Sequence, residues 1–296
     1  MRGLVALVVA VAIAAAAATA GCSTTGPGVP AAAPSMSTTQ APQPKTYAPQ
    51  VVLPFGELIN HPAGVVVDAA DNVYVLDSHY GQVWEMAAGT SSPKPLPFTG
   101  LGRAVDAAVD TAGNLYIADD DKHRVLKLTP GTASPTVLPF IDLNVIAGVA
   151  VDNVGNVYVS DSGSRRVLRL APGSASPTVL PLNDIAPDGV AVDGSDNVYV
   201  VDSGGKRVVK LAPGAATPTV LGFGDLQRPT DVAVDGGGNV YVIDTNRVLR
   251  LDRGAIGPMV LPFNDLKDPS SLAVGTTGNV YVNDGLHFRI LELPAR

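Results

Sequence analysis

The residues able to do chemistry in this 296-residue chain are few and unevenly placed. Its four histidines are His61, His79, His123 and His287. Three imidazoles meeting at one point would hold zinc and leave a position for water. Two sets of aspartates recur along the chain. Asp68, Asp110, Asp152, Asp193 and Asp235 form one, and Asp77, Asp119, Asp161, Asp202, Asp244 and Asp284 form the other. Such a ring of carboxylates suits a hard cation such as calcium. A third set is irregular and comprises Tyr80, Arg103, Asp106, Asp188, Arg228, Asp231, Lys267 and Asp268, with His61, His79 and His287 among them. Mixed charge with one or two aromatics suits a polar ligand, a peptide or a glycan. No Gly-x-Ser-x-Gly elbow is present to present a nucleophilic serine.

What must position these residues is a repeat. A tyrosine recurs at Tyr74, Tyr116, Tyr158, Tyr199, Tyr241 and Tyr281, at steps of 42, 42, 41, 42 and 40 residues. Each copy holds four short runs rich in Val, Leu, Ile and Tyr, separated by Gly, Pro, Asp and Asn. Such residues suit a pleated, half-buried surface, and no run has a helical period. A period near 40 filled with short strands predicts an all-β chain: a six-bladed β-propeller with four strands per blade. The outer-strand phrase Val-Leu-Pro-Phe ends several copies and also occurs once before the first, as Val52-Leu53-Pro54-Phe55, while the sixth copy lacks it. Residues 51–55 are therefore expected to complete the last blade and close the ring, which removes a long unpaired edge.

The repeat also separates architecture from function. An aspartate found in nearly every blade is expected to cap a turn through its side chain. The arginines Arg124, Arg166, Arg207, Arg247 and Arg289 are expected to pair with the loop aspartates. The irregular positions are left as candidates: His61, His79, Tyr80, Arg103, Asp106, Asp188, Arg228, Asp231 and His287. Asp106, Asp188 and Asp231 are expected just before first strands. No catalytic residue and no cofactor is expected; zinc or calcium is the alternative.

Before the repeat, Met1-Arg2 leads into an apolar, alanine-rich run that ends at Thr19-Ala20-Gly21-Cys22. A positive start, an apolar stretch and small residues read as a secretory signal over 1–21. The end of the run resembles a bacterial lipobox, with Thr19 in place of the usual leucine. Cys22, the sole cysteine, is then the residue that is acylated, and two acyl chains give stable attachment. Residues 22–50, rich in Ser, Thr, Pro and Ala, are expected to be a disordered tether, and 51–296 the propeller. The expected place is the outer face of the cytoplasmic membrane or the cell envelope. The net charge of −7 argues against nucleic acid as a partner.

The phrases Gly-Val-Ala-Val-Asp, Gly-Asn-Val-Tyr-Val, Asp-Ser and Arg-Val-Leu resemble the NHL repeat, and His123-Arg124-Val125 keeps that family's His-Arg-Val. The wording is most similar to the extracellular sensor propeller of actinobacterial PknD-type receptor serine/threonine kinases. The resemblance implies a six-bladed propeller outside the cell that binds an envelope protein, peptide or glycan without catalysis. It does not imply kinase activity, since the 296 residues contain no glycine-rich phosphate loop, Val-Ala-Ile-Lys, His-Arg-Asp or Asp-Phe-Gly. Relatives that act as lyases on peptidyl hydroxyglycine use histidine-bound zinc, so a metal-dependent lyase or lactonase is the second expectation.

Overall fold

A computed structural model describes residues 45–296. The signal segment, Cys22 and the greater part of the tether lie outside the described residues. The rest forms six sheets of four antiparallel strands. In the third blade the strands are Ile146–Val151, Val157–Asp161, Arg166–Leu170 and Thr178–Val179, innermost to outermost. Each innermost strand packs against those of the two neighbouring blades, so the six sheets form a closed ring. This is the six-bladed propeller that the tyrosine period predicts.

The second strand of each blade explains the composition. Val73–Asp77, Leu115–Asp119, Val157–Asp161, Val198–Asp202, Val240–Asp244 and Val280–Asp284 are buried along their whole length. A strand covered on both faces favours apolar side chains up to its closing aspartate, which is why these runs do not alternate. Six hydrophobic clusters fill the interfaces between adjacent blades. The core is thus a ring of inter-blade layers. The outermost strands are only two residues long and exposed, which limits unwanted edge pairing.

The ring closes where expected, and further upstream as well. Val51 and Val52 pair with Glu292 and Leu291, and the Leu53 amide donates to Ile290 O at 2.9 Å. Pairing continues through Ala48 N to Pro294 O and Arg296 N to Thr46 O, both 2.8 Å. Backbone order therefore begins ahead of residue 51.

The repeated aspartates build the blades. Asp152 shows how: Oδ1 accepts the amides of Val154 and Asn156, and Oδ2 accepts the Asn156 side chain and the Tyr158 hydroxyl. Where Gly275 replaces this aspartate in blade 6, Asp71 of blade 1 reaches across to Thr276, and Glu292 takes the Asn279 amide and the Tyr281 hydroxyl. The second set is fully buried, and five of its six members bind the arginine that opens the third strand, at 2.7–2.9 Å. In blade 1 glutamine stands in that place: Gln82, opposite Asp77.

Candidate functional site

Asp77 positions the most distinctive part of the surface. Its Oδ1 accepts the amides of His79 and Tyr80, at 2.8 and 3.0 Å, and its Oδ2 accepts those of Asn60 and His61. One buried carboxylate thus holds the loop entering blade 1 against the loop between its second and third strands. Both open on the same face of the ring. His61 and His79 meet edge to face with ring centres 5.9 Å apart, and His79 meets Tyr80 at 4.8 Å. Phe288, from the neighbouring sixth blade, stacks on His61 at 5.2 Å. Tyr80, Leu286 and Phe288 remain exposed.

This aromatic rim borders a basin of about 440 Å³ at the mouth of the central channel. His61, Arg103, Val145, Asp188, Asp268 and Phe288 are among its walls. Asp188 is a half-buried carboxyl facing this space. Burial pushes it up to about 6, against the pull of Arg228. The cations around the mouth are committed to partners. Arg103 binds Asp120 through its guanidinium and Asp121 through its amide. Arg228 lies 3.4 Å from Asp268, and Lys267 lies 3.7 Å from Asp265. All three keep half or more of the side chain exposed at the mouth.

Asp106 and Asp231 sit deeper, lining the channel proper. The structure corrects the expectation that these residues and Asp188 precede first strands. All three lie within them, in Ala104–Val109, Pro187–Val192 and Pro229–Val234, beside an irregularity in register. Asp106 and Asp231 occupy the same column of opposite blades, where blade 6 has Ser271 and the others glycine. Each staples its blade to the next. Asp106 accepts Val149 N, Asp231 accepts Leu272 N, and Ser271 accepts Val65 N, at 2.8, 2.8 and 3.0 Å. Gly189 packs so closely on Asp231 that a side chain there would collide with it. Burial raises both carboxyls, Asp231 to about 7, against the pull of their amide donors; for Asp106 the charge of Asp231 adds to burial. These two are joints of the ring.

No three imidazoles converge on one point among the described residues. His61 bonds the Asn60 carbonyl through Nδ1, His123 the Asn144 carbonyl, and His287 the Asp284 carboxylate at 2.8 Å. His287 therefore belongs to the Asp284–Arg289 framework. Among the described residues no group of three His, Cys, Asp or Glu is placed to hold a metal ion, so the donor set fits neither zinc nor calcium. None of the described histidines is hydrogen-bonded to a hydroxyl, so no Ser-His pair is formed.

Phe288 escaped the sequence reading. It occupies the turn position just before the third strand, which holds Gly81, His123, Arg165 and Lys206 in blades 1 to 4, all at positive φ. Its φ is 52°, unusual for a bulky aromatic. A phenylalanine at a position that wants Gly or a polar residue is the signal that was available.

No family model matches the chain. It is 44% identical over 71 residues to serine/threonine-protein kinase PknD of Mycobacterium tuberculosis, a stretch that is 23% of this chain and 10% of that protein. The match thus spans about a tenth of the curated relative's length. Among solved structures, virginiamycin B lyase from Staphylococcus aureus superposes with a TM-score of 0.62 at 14% identity, covering 85% of this chain and 99% of that one. A gluconolactonase from Xanthomonas campestris superposes with a TM-score of 0.67 at 16% identity, covering 80% and 87%. At such identities the likeness is one of fold. Fold and mouth together define a closed six-bladed propeller with an aromatic-rimmed basin at one end of its channel.

Proposed function

We propose that the protein is a binding or sensor propeller of the cell envelope, anchored by lipid on Cys22, that takes a peptide, glycan or protein partner at the channel mouth without chemistry on it. The observation that carries this is the exposed rim of Phe288, His61, His79 and Tyr80 beside a polar basin. Flat ring faces next to a carboxyl suit a ligand with apolar and polar sides, such as a sugar or an extended peptide. Lys45 lies 3.8 Å from Asp235, at the turn between the first and second strands of blade 5, on the face opposite the rim. The resemblance to receptor-kinase sensors fits an extracytoplasmic place. The kinase activity named for PknD has no counterpart in the motifs of these residues.

A lyase or lactonase-like hydrolase is the second reading, favoured by Asp188. A carboxyl titrating near 6 beside a basin suits acid–base work. The lyase and the gluconolactonase share the scaffold, which does not choose a chemistry. No metal step follows, because the donor set does not fit one.

Glycan and peptide arrays probed with the parent and with a Tyr80→Ala/Phe288→Gly double variant test the site. The variant is expected to keep its melting temperature and lose the signal. Retained binding would move the site away from the mouth. Turnover of an arrayed ligand, lost in Asp188→Asn, would replace the binding reading with the second one.

A further inference from the structure

The chain plugs one of its own inter-blade clefts. Between blades 5 and 6, Tyr47 packs into the cluster formed by Tyr241, Leu261, Val280 and Leu293. Its hydroxyl accepts from Arg250 Nη1 at 3.3 Å. The flanking backbone is held by the C-terminal residues, with Ala48 N on Pro294 O. A tyrosine inserted this way buries an apolar ring and gives its polar tip a partner.

The cleft between blades 2 and 3 has the same walls and is open. Tyr116 stands for Tyr241, Leu138 for Leu261, Val157 for Val280 and Leu170 for Leu293. Lys127 lies opposite Tyr116 in the strand pairing as Arg250 lies opposite Tyr241. The cation sits over the ring in both, at 5.2 Å for Lys127 and 5.7 Å for Arg250. The tyrosine hydroxyl is tied to the turn aspartate in both, Asp110 and Asp235. The open space is about 510 Å³. The cleft between blades 3 and 4 is smaller, about 320 Å³, and its cation is drawn aside, with Arg169 donating to Asn156 Oδ1 at 3.0 Å. The cleft between blades 4 and 5 is about 310 Å³ and is walled by the glycine turn at 236–238. Only the first of these three therefore combines the room, the apolar wall and a cation free of a side-chain carboxylate or amide partner among the described residues.

We propose that the cleft between blades 2 and 3 is a binding site for the tyrosine side chain of an extended segment of a partner protein, entering as Tyr47 enters between blades 5 and 6. The phenol ring lies between Leu138 and Val157, and Lys127 donates to its hydroxyl in place of Arg250. The site is on the face opposite the aromatic rim, since Asp110 and Pro172 belong to turns of the first-to-second and third-to-fourth strands. A partner held there leaves the basin free.

The probe is the labelled peptide of residues 44–50, Pro-Lys-Thr-Tyr-Ala-Pro-Gln, titrated against the full chain by fluorescence anisotropy. Saturable binding at one site is expected, with affinity at least about tenfold lower for the peptide carrying alanine in place of tyrosine. Ala112→Trp, at an exposed wall of the cleft, is expected to remove binding while the melting temperature stays unchanged. If that variant does not fold, Ser174→Trp fills the same space from the other side. Absence of saturable binding, equal binding of the two peptides, or full binding to a folded cleft-filled variant would each overturn the proposal. The last would show exchange with the resident Tyr47 segment instead.

Discussion

Asp244 and Asp231 lie in adjacent strands of one blade, and both are buried. Each accepts two backbone amides. Asp244 takes those of Gln227 and Arg228, and Asp231 those of Val232 and Leu272. Burial pushes both carboxyls upward, yet Asp244 ends below the ordinary carboxylate value and Asp231 near 7. Two charges make the difference, a guanidinium beside Asp244 and the carboxylate of Asp188 near Asp231. Arg247 gives Asp244 two further hydrogen bonds at 3.1 and 2.7 Å, and nothing of that charge reaches Asp231. Two amides suffice to fix a carboxylate in place, but a cation is needed to keep it charged out of water.

Three substitutions test this contrast. The largest effect is expected from Asp244→Ala, which strands Arg247 and frees two amides; a loss of about 3 kcal/mol should appear in denaturant unfolding at pH 7. Asp244 is held below its unfolded value, so its contribution is present at neutral pH and lost as the pH falls through the acid carboxylate range. The penalty of the variant should therefore shrink in acid. Asp231 behaves in the opposite sense. Its folded carboxyl is raised, so its contribution is whole below about pH 4 and lost as the pH rises toward 7. Asp231→Ser copies the Ser271 joint of blade 6, keeping an acceptor without the charge. It should be about 2 kcal/mol more stable than the parent at pH 8 and lose that advantage by pH 4. A variant with an unchanged pH slope would show that Asp231 is not the source. The smallest effect concerns Asp77, where Gln82 stands in place of arginine. Gln82→Arg should add about 0.5–1 kcal/mol at pH 7, read as a rise in melting temperature that salt diminishes.

The blades were legible because each repeat solves one packing problem six times. Period, strand runs and the closing phrase at 52–55 all follow from that. The turn and loop aspartates were legible for the same reason, and so were their arginine partners. The mouth was legible in part. His61, His79 and Tyr80 stand out as departures from the repeat, and the structure gathers them on Asp77. His287, Arg103 and Arg228 depart as well, but their neighbours engage them, and a sequence does not display neighbours across blades. Asp106 and Asp231 looked like loop residues because a carboxylate inside a buried strand breaks the pattern; the amide exposed by the next blade is what makes it tolerable. Tyr47 was hidden by its setting, since one aromatic among Thr, Pro and Ala reads as linker.

The closing contact has a consequence for how the chain is made. Val51 and Val52 are made before any blade, yet their partners Leu291 and Glu292 are made only after five blades are complete. Until then the two valines have no mate. Closure is a contact between residues far apart in sequence, the kind that forms slowly. Losing the strand at 289–293 would therefore strand residues 51 and 52 as well.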